Sequence, residues 1–150
     1  MIYPWHNEQW QQLAEHWERR PNAWLLIGKK GTGKTAFARF VAQKLLCESP
    51  VPGGGPCGVC ASCHLFEQGG HPDFYEITSL SDEPENGRKL LQIKIDAIRK
   101  IIDNVYLTSV RGGLRVVLIH PAESMNVQAA NSLLVGYTPA TRRLLLDTLR

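Results

Sequence analysis

Residues 28–35 fit the pattern G-x-x-x-x-G-K-[ST] at every fixed position. They are Gly28, Lys29, Lys30, Gly31, Thr32, Gly33, Lys34 and Thr35. In such a loop, backbone N–H groups and a helix start converge on phosphate oxygens, and glycine permits the close approach and positive φ. Lys34 would reach the terminal phosphates and the Thr35 hydroxyl would bind Mg²⁺. The motif predicts a site for ATP with Mg²⁺; a glycine-rich turn without a ligand is the alternative.

Four cysteines follow within residues 47–63. They are Cys47, Cys57, Cys60 and Cys63. Four thiolates at this spacing can complete a tetrahedral Zn²⁺ shell, and a closed shell leaves no position for a catalytic water, so the predicted zinc is structural. Four free thiols or two disulfides are the alternatives, and a cytoplasmic chain disfavours disulfides. His64 and His71 lie nearby, but we do not expect them to be ligands because four cysteines already saturate zinc.

An acidic pair is missing where an ATPase needs one. A phosphate-loop NTPase requires a second strand that ends in a carboxylate near Mg²⁺, often followed by a Glu that orients the attacking water. The candidate strand is 116–119, and His120 and Pro121 follow it. Neither suits Mg²⁺, which prefers oxygen ligands, and Glu123 is displaced from the strand end. The sequence therefore predicts nucleotide binding with little or no hydrolysis, and no catalytic residue is assigned.

The elements around these residues follow from apolar periodicity. Residues 24–27 predict a buried strand before the loop, and a helix follows from Thr35. The apolar run 115–119 predicts a strand at the centre of a parallel sheet. Strands that alternate with helices indicate an α/β fold with a parallel sheet flanked by helices.

Other elements are predicted less directly. Asn7 is expected to cap a helix whose apolar face is Trp10, Leu13, Ala14 and Trp17, with a core role favoured over an adenine pocket. The remaining predictions are a turn and strand over 71–77, an exposed loop over 80–89, a strand end at 93–95, a helix capped by Asp96, a turn at 112–113 and a helix from Asn126.

Length and composition set the outer limits. A chain of 150 residues suffices for one domain with its own core. The net charge of +3 is too small to argue for nucleic-acid binding by itself. No apolar stretch is long enough to span a membrane, and residues 1–6 lack a signal-peptide pattern. We therefore expect a cytoplasmic protein without membrane partners.

The order of the motifs resembles the clamp-loader subunits of bacterial DNA polymerase III over about residues 3–134. The motifs beyond the loop are the cysteine set, His71-Pro72-Asp73, residues 95–99, Gly112-Gly113, residues 121–126 and residues 129–134. The tau/gamma branch of that family carries the acidic pair where this chain has His120-Pro121. This difference and the opening Tyr3-Pro4-Trp5 favour the delta-prime branch.

The resemblance implies an AAA+ P-loop domain over residues 1–150 with a zinc module inserted at 47–63. It further implies a complex with delta and tau/gamma subunits that uses ATP to open a sliding clamp and place it on primer-template DNA. The delta-prime subunit is the rigid stator of that machine. Many members have a degraded phosphate loop, whereas Gly28, Gly33, Lys34 and Thr35 are intact here.

The chain departs from the family pattern after residue 134. One hypothesis is that a segment between Leu134 and Val135 is missing, including a strand with a polar sensor residue, which leaves Thr138 near its end. Three arginines in the tail are expected as surface charges on a helix: Arg142, Arg143 and Arg150. The alternatives for function are an active tau/gamma-like ATPase and, with less support, a small phosphate-loop kinase.

Overall fold

A computed structural model describes residues 2–21, 23–78, 96, 99–100, 114–122, 125, 127–128, 131 and, by backbone alone, 142–148. The helices are α1 (Asn7–Glu15), α2 (Lys34–Leu46) and α3 (Ala61–Glu67), with 3₁₀ turns at Pro4–His6 and Trp17–Arg19. The strands are β1 (Ala23–Ile27), β2 (Phe74–Thr78), β3 (Arg115–His120) and β4 (Arg142–Thr148). The phosphate-loop helix and the strands before and after it were therefore predicted correctly.

The four strands form one parallel sheet in the order β1-β4-β3-β2. Parallel neighbours need long crossover connections, and helix α2, which lies between β1 and β2 in the sequence, packs against this sheet. This confirms the α/β class with a parallel sheet and helices. The order also means that β4, which comes last in the sequence, lies between β1 and β3.

Helix α2 forms the main contact with the sheet. Its residues Phe37, Val41 and Leu45 recur every four positions and are all buried, as expected for a helix stripe that faces a core. They pack with Val116 and Leu118 of β3, both fully buried. Each large apolar side chain buried here contributes about 1.5–3 kcal/mol to folding. This packing holds the first residue of α2, Lys34, in place at the end of the phosphate loop.

Strand β1 is less buried than predicted. Trp24 and Leu26 pack against the core, but Leu25 and Ile27 are 55% and 53% exposed. The prediction of a strand was right and the prediction of full burial was wrong. The physical reason is position: β1 is an edge strand of the described sheet, and only alternate side chains of a strand face the same helix layer.

The first helix also differs in detail. Asn7 is its first helical residue and His6 occupies the cap position without a side-chain cap bond, so the predicted Asn7 cap was wrong. Trp17 lies beyond α1 in a 3₁₀ turn. Its ring nevertheless lies 6.0 Å from that of Trp10, which is 4.9 Å from Phe40. The core role predicted for these tryptophans is confirmed for Trp10, which is 8% exposed.

The tail prediction requires a correction. Arg142 and Arg143 lie on strand β4, not on a helix. The following run, Leu144-Leu145-Leu146, pairs with both β1 and β3. Three consecutive leucines suit an interior parallel strand, which is flanked on both sides and needs no alternation.

Several predictions fall outside the described residues. They are the loop 80–89, the strand end 93–95, the turn 112–113, Glu123, Asn126, Thr138 and Arg150. Asp96, Arg99 and Lys100 are helical, as are Val127, Gln128 and Asn131. Among the residues that the structure covers, no helix combines the length and apolar character needed to cross a bilayer.

Candidate nucleotide and metal sites

The phosphate loop begins where β1 ends and leads directly into α2. Gly31 and Gly33 have φ of 84° and 79°, a left-handed conformation that glycine adopts without strain. The Lys29 carbonyl accepts hydrogen bonds from Thr32 Oγ1 and Lys34 Nζ, both at 2.9 Å. These hydrogen bonds therefore join the two halves of the loop and hold the Lys34 ammonium beside the Lys29 carbonyl.

Three side chains from the start of the chain lie against this loop, and we call Tyr3, Trp5 and His6 the N-terminal aromatic segment. Trp5 Nε1 donates to the Thr32 carbonyl at 3.0 Å, and His6 Nε2 bonds the same carbonyl at 2.8 Å. A Cβ on Gly33 would lie 2.5 Å from Tyr3 Cδ2, so only glycine fits beneath that ring. Sequence reasoning missed these contacts because they span 26 and 27 positions.

The ends of β1 and β3 lie at the same edge of the sheet. Ile27 pairs with Thr148, and Ile119 pairs with Leu146, so His120 falls level with Asp147. This edge is where a Mg²⁺-binding acid of β3 would stand. His120 is the residue found there, and a cis peptide bond joins it to Pro121.

A carboxylate that sequence reasoning did not select lies beside His120. Glu76 Oε1 accepts from His120 Nε2 at 2.5 Å and from Arg39 Nη2 at 2.6 Å. The hydrogen bond from His120 and the nearby Arg39 lower the pKa of Glu76 against the opposing effect of burial. The carboxylate is therefore ionised near neutral pH and already bound to two cationic or donating groups.

The four cysteines predicted as metal ligands converge. Their Sγ atoms all lie within 4.8 Å of one another. The Cys47–Cys60 and Cys57–Cys63 sulfur pairs are each 3.9 Å apart. A tetrahedral site with Zn–S bonds of about 2.3 Å has sulfur–sulfur edges of about 3.8 Å, whereas a disulfide bond is about 2.05 Å long. The cluster thus has the size of a tetrahedral metal shell, and none of the four cysteines is in a disulfide.

Backbone N–H groups also point at these sulfurs. Cys57 N donates to Cys47 Sγ, Cys60 N to Cys57 Sγ and Cys63 N to Cys60 Sγ, each at 3.4 Å. Gly58, with φ of 74°, permits the turn between the second and third cysteines. N–H groups that donate to sulfur favour the thiolate, the form that binds a metal.

The thiol pKa values divide into two pairs. Backbone hydrogen bonds from Val59 and Cys60 lower the pKa of Cys57 to about 6. Burial would raise the pKa of Cys60, but backbone hydrogen bonds from Glu48 and Cys63 outweigh it and lower that pKa.

Burial raises the pKa of Cys47 and Cys63 above the usual thiol value. Cys57 and Cys60, on the less buried side, therefore ionise more readily than the two deeper thiols. A bound divalent cation would favour the thiolate form of all four.

His71, which follows the cysteines in the sequence, forms hydrogen bonds with groups other than the cysteine sulfurs. It is 6% exposed, and its Nδ1 accepts from the Asp73 backbone N–H at 3.1 Å. Its Nε2 therefore carries the proton and donates to Ser62 Oγ at 3.0 Å. Both ring nitrogens therefore fasten the first turn of α3 to the residue that precedes β2.

The chain was compared with known proteins. Residues 5–135 match a family model described as DNA polymerase III, delta subunit. DNA polymerase III subunit delta' of Pseudomonas aeruginosa is 42% identical over 133 residues, which is 89% of this chain and 38% of that protein. DNA polymerase III subunit tau of Escherichia coli is 34% identical over 113 residues, which is 75% of this chain and 16% of that protein.

A solved structure shares the fold. The crystal structure of a DNA polymerase III gamma subunit-related protein from Thermotoga maritima superposes with a TM-score of 0.51 at 22% identity, over 95% of this chain and 39% of that one. The chain spans 38% of the length of the delta' relative from Pseudomonas aeruginosa. The family match ends at residue 135, so β4 lies beyond it.

Proposed function

Because this chain belongs to the family of DNA polymerase III delta subunits, we propose that it is the AAA+ phosphate-loop domain of a delta-prime-type clamp-loader subunit. The domain binds a nucleotide in residues 28–35 and hydrolyses it slowly or not at all. The observation that carries this proposal is the pairing of a complete phosphate loop with His120 at the end of β3. The loop supplies the groups that hold phosphates, while the strand end lacks the carboxylate that holds Mg²⁺ and positions water.

The four-cysteine cluster belongs to the same proposal as a structural zinc module over residues 47–63. Its support is the near-tetrahedral sulfur spacing, with pairs at 3.9 Å. Four thiolates fill the coordination sphere, so the ion would join α2 to α3 and take no part in chemistry. Reduced thiols fit a cytoplasmic location.

The partners follow from the family. The domain would serve as a stator, a fixed part against which ATP-driven tau/gamma neighbours work. Together with a delta subunit, the domain and its tau/gamma neighbours would load the sliding clamp onto primer-template DNA. A net charge of +3 over 150 residues does not by itself argue for direct DNA binding, so we propose that DNA contact comes through the complex.

A binding and turnover experiment tests the nucleotide proposal. We expect the chain to bind MgATP in isothermal titration and to show no phosphate release above buffer. Lys34→Ala should weaken binding at least about tenfold because it removes the ammonium that pairs with phosphate. Lys100→Ala is the matched control, since it removes an exposed lysine that lies outside residues 28–35. Absence of binding by the unchanged chain, or turnover that Lys34→Ala abolishes, would contradict the proposal.

An active ATPase is the alternative, and the acids at the sheet edge are its support. Glu76 lies beside His120, and the register places Asp147 of β4 level with His120. If either carboxylate replaced the missing acid, Glu76→Gln or Asp147→Asn would abolish turnover without abolishing binding. With no measurable turnover in the unchanged chain, this alternative fails.

A further inference from the structure

The N-terminal aromatic segment does more than cover the phosphate loop. Trp5 is 59% exposed, so its position gains little from burial. Its indole N–H is nevertheless committed to the Thr32 carbonyl, as is His6 Nε2. Two side-chain donors on one carbonyl of an exposed loop fix the orientation of that peptide group.

The His6 ring is held at the Thr32 carbonyl although its other nitrogen lacks a hydrogen-bond partner within the part of the chain that the structure describes. A carbonyl only accepts hydrogen bonds, so the bond to Thr32 requires a proton on Nε2, and in the neutral ring Nδ1 is then an acceptor. Nδ1 is buried and has no hydrogen-bond partner among the described residues. An unsatisfied buried acceptor lowers stability. A phenylalanine at this position would pack against Phe37, 5.2 Å from the His6 ring, without that cost.

The orientation of this peptide bears directly on phosphate binding. In a trans peptide, the carbonyl and the following N–H point in opposite directions. Because the Thr32 carbonyl points at Trp5 and His6, the Gly33 N–H points away from them. Gly33 immediately precedes Lys34, which opens α2, so its N–H is among the groups that a phosphate at this loop would meet.

We propose that Trp5 and His6 are positioning residues for phosphate binding, which hold the Thr32 carbonyl outward and thereby turn the Gly33 N–H toward the ligand. The inference rests on the proposed nucleotide site. It adds that the affinity of the loop for phosphate depends on residues 26 and 27 positions away in the sequence. These residues act on the phosphates through the backbone and make no contact with the base.

The test uses the full 150-residue chain and two ligands, MgATP and magnesium tripolyphosphate, which lacks a base. Trp5→Phe and His6→Phe each remove one donor and keep an aromatic ring. Each variant should bind both ligands about fivefold more weakly, which corresponds to the loss of one hydrogen bond. Tyr3→Phe keeps the ring stacked at 4.7 Å on Trp5 and should bind as the unchanged chain does.

Thermal unfolding without ligand separates positioning from simple stabilisation. His6→Phe should unfold at the same or a higher temperature while it binds phosphate more weakly. His6→Gln, which retains a donor, should recover most of the affinity.

Three results would overturn the inference. Equal affinity of the unchanged chain and both variants would show that the donors do not matter. If the variants bind MgATP more weakly but bind magnesium tripolyphosphate normally, Trp5 and His6 act on the base. If the unchanged chain binds neither ligand, the nucleotide proposal and this inference both fail.

Discussion

Glu76 is the residue on which the electrostatics at the sheet edge depend. Its carboxylate joins β2 to β3 through His120 and to α2 through Arg39. The same contacts occupy both the acid and the histidine near the strand end where an ATPase carries its catalytic carboxylate. The arrangement is therefore better suited to fixing three elements together than to activating water.

The stability that Glu76 contributes should depend on pH. Its pKa is lower in the folded chain than the ordinary value of 4.5. The contribution is complete above that value and is lost as the pH falls through the folded pKa. At pH 7 we expect Glu76→Gln to reduce the free energy of unfolding by about 1 kcal/mol, a small value because Arg39 is half exposed and solvent screens the pair.

Urea unfolding at several pH values checks this prediction. The difference between the unchanged chain and Glu76→Gln should stay at its full value from pH 7 down to about pH 4.5 and should shrink as the pH falls below that value toward 3. Glu15→Gln removes an exposed carboxylate from α1 and serves as the control. A difference that stays constant across this range would contradict the assignment.

Lys44 is a second residue whose role the structure decides. It is 3% exposed, and its Nζ donates to the carbonyls of Val51 and Gly54. Its ammonium also lies 5.0 Å from the Trp10 ring and 4.8 Å from the Trp17 ring. Burial lowers the pKa of this lysine. Lys44 thus fastens the loop between Cys47 and Cys57 to α2 and to the two tryptophan rings.

At the scale of elements, the cysteine cluster connects the end of α2 to the start of α3. Cys47 ends α2 and Cys60 caps α3 by accepting from the Cys63 N–H. Residues 48–56 between them form a loop rich in proline and glycine. Backbone hydrogen bonds join Val51 to Gly54 and to Gly55 within this loop, and Lys44 holds it to α2. A metal bound by the four sulfurs would add a further constraint at its two ends.

Removal of the metal should therefore act locally. With zinc bound, chelation should increase hydrogen exchange in residues 47–67 much more than in residues 28–35, because structural zinc contributes folding free energy where its ligands lie. Exchange monitored by mass spectrometry before and after a chelator makes the comparison. Cys60→Ser, which removes one ligand, should reproduce the effect without a chelator. Equal loss of protection in both segments would contradict the prediction.

At the scale of the whole molecule, the parallel sheet brings the phosphate loop, His120 and the end of β4 to one edge. The relatives that are similar in sequence to this chain include delta' and tau subunits of DNA polymerase III. The chain covers 38% of such a delta' protein, so the assembly surfaces implied by the family have to be tested on the product of the complete reading frame. A stator must bind its neighbours, but it need not cleave ATP.

This gives a prediction for assembly. The tagged product of the complete reading frame should co-purify with delta and tau/gamma subunits. Lys34→Ala should co-purify equally well, because a stator contributes contacts and not phosphate cleavage. The intact mass of that product also tests whether a segment is missing after residue 134. Purification of the tagged product without any other clamp-loader subunit would contradict the proposed function.

The sequence by itself determined the features whose information is contiguous. The glycine loop, the cysteine motif, the helix that starts at the end of the glycine loop and the apolar run of β3 were each predicted from short segments. Neighbouring residues set their backbone geometry. Their order along the chain was also enough to indicate the family, which the comparisons confirmed.

Only the tertiary structure decided which distant residues meet. Trp5 and His6 reach Thr32, and Glu76 reaches His120 across 44 positions. The interior place of β4 and the exposed face of β1 likewise follow from the sheet order. Local periodicity does not determine these contacts or the strand order, since pairing between strands depends on the free energy of the whole packed sheet. The physical reason is that side-chain chemistry is local, whereas burial and strand neighbours are properties of the folded chain.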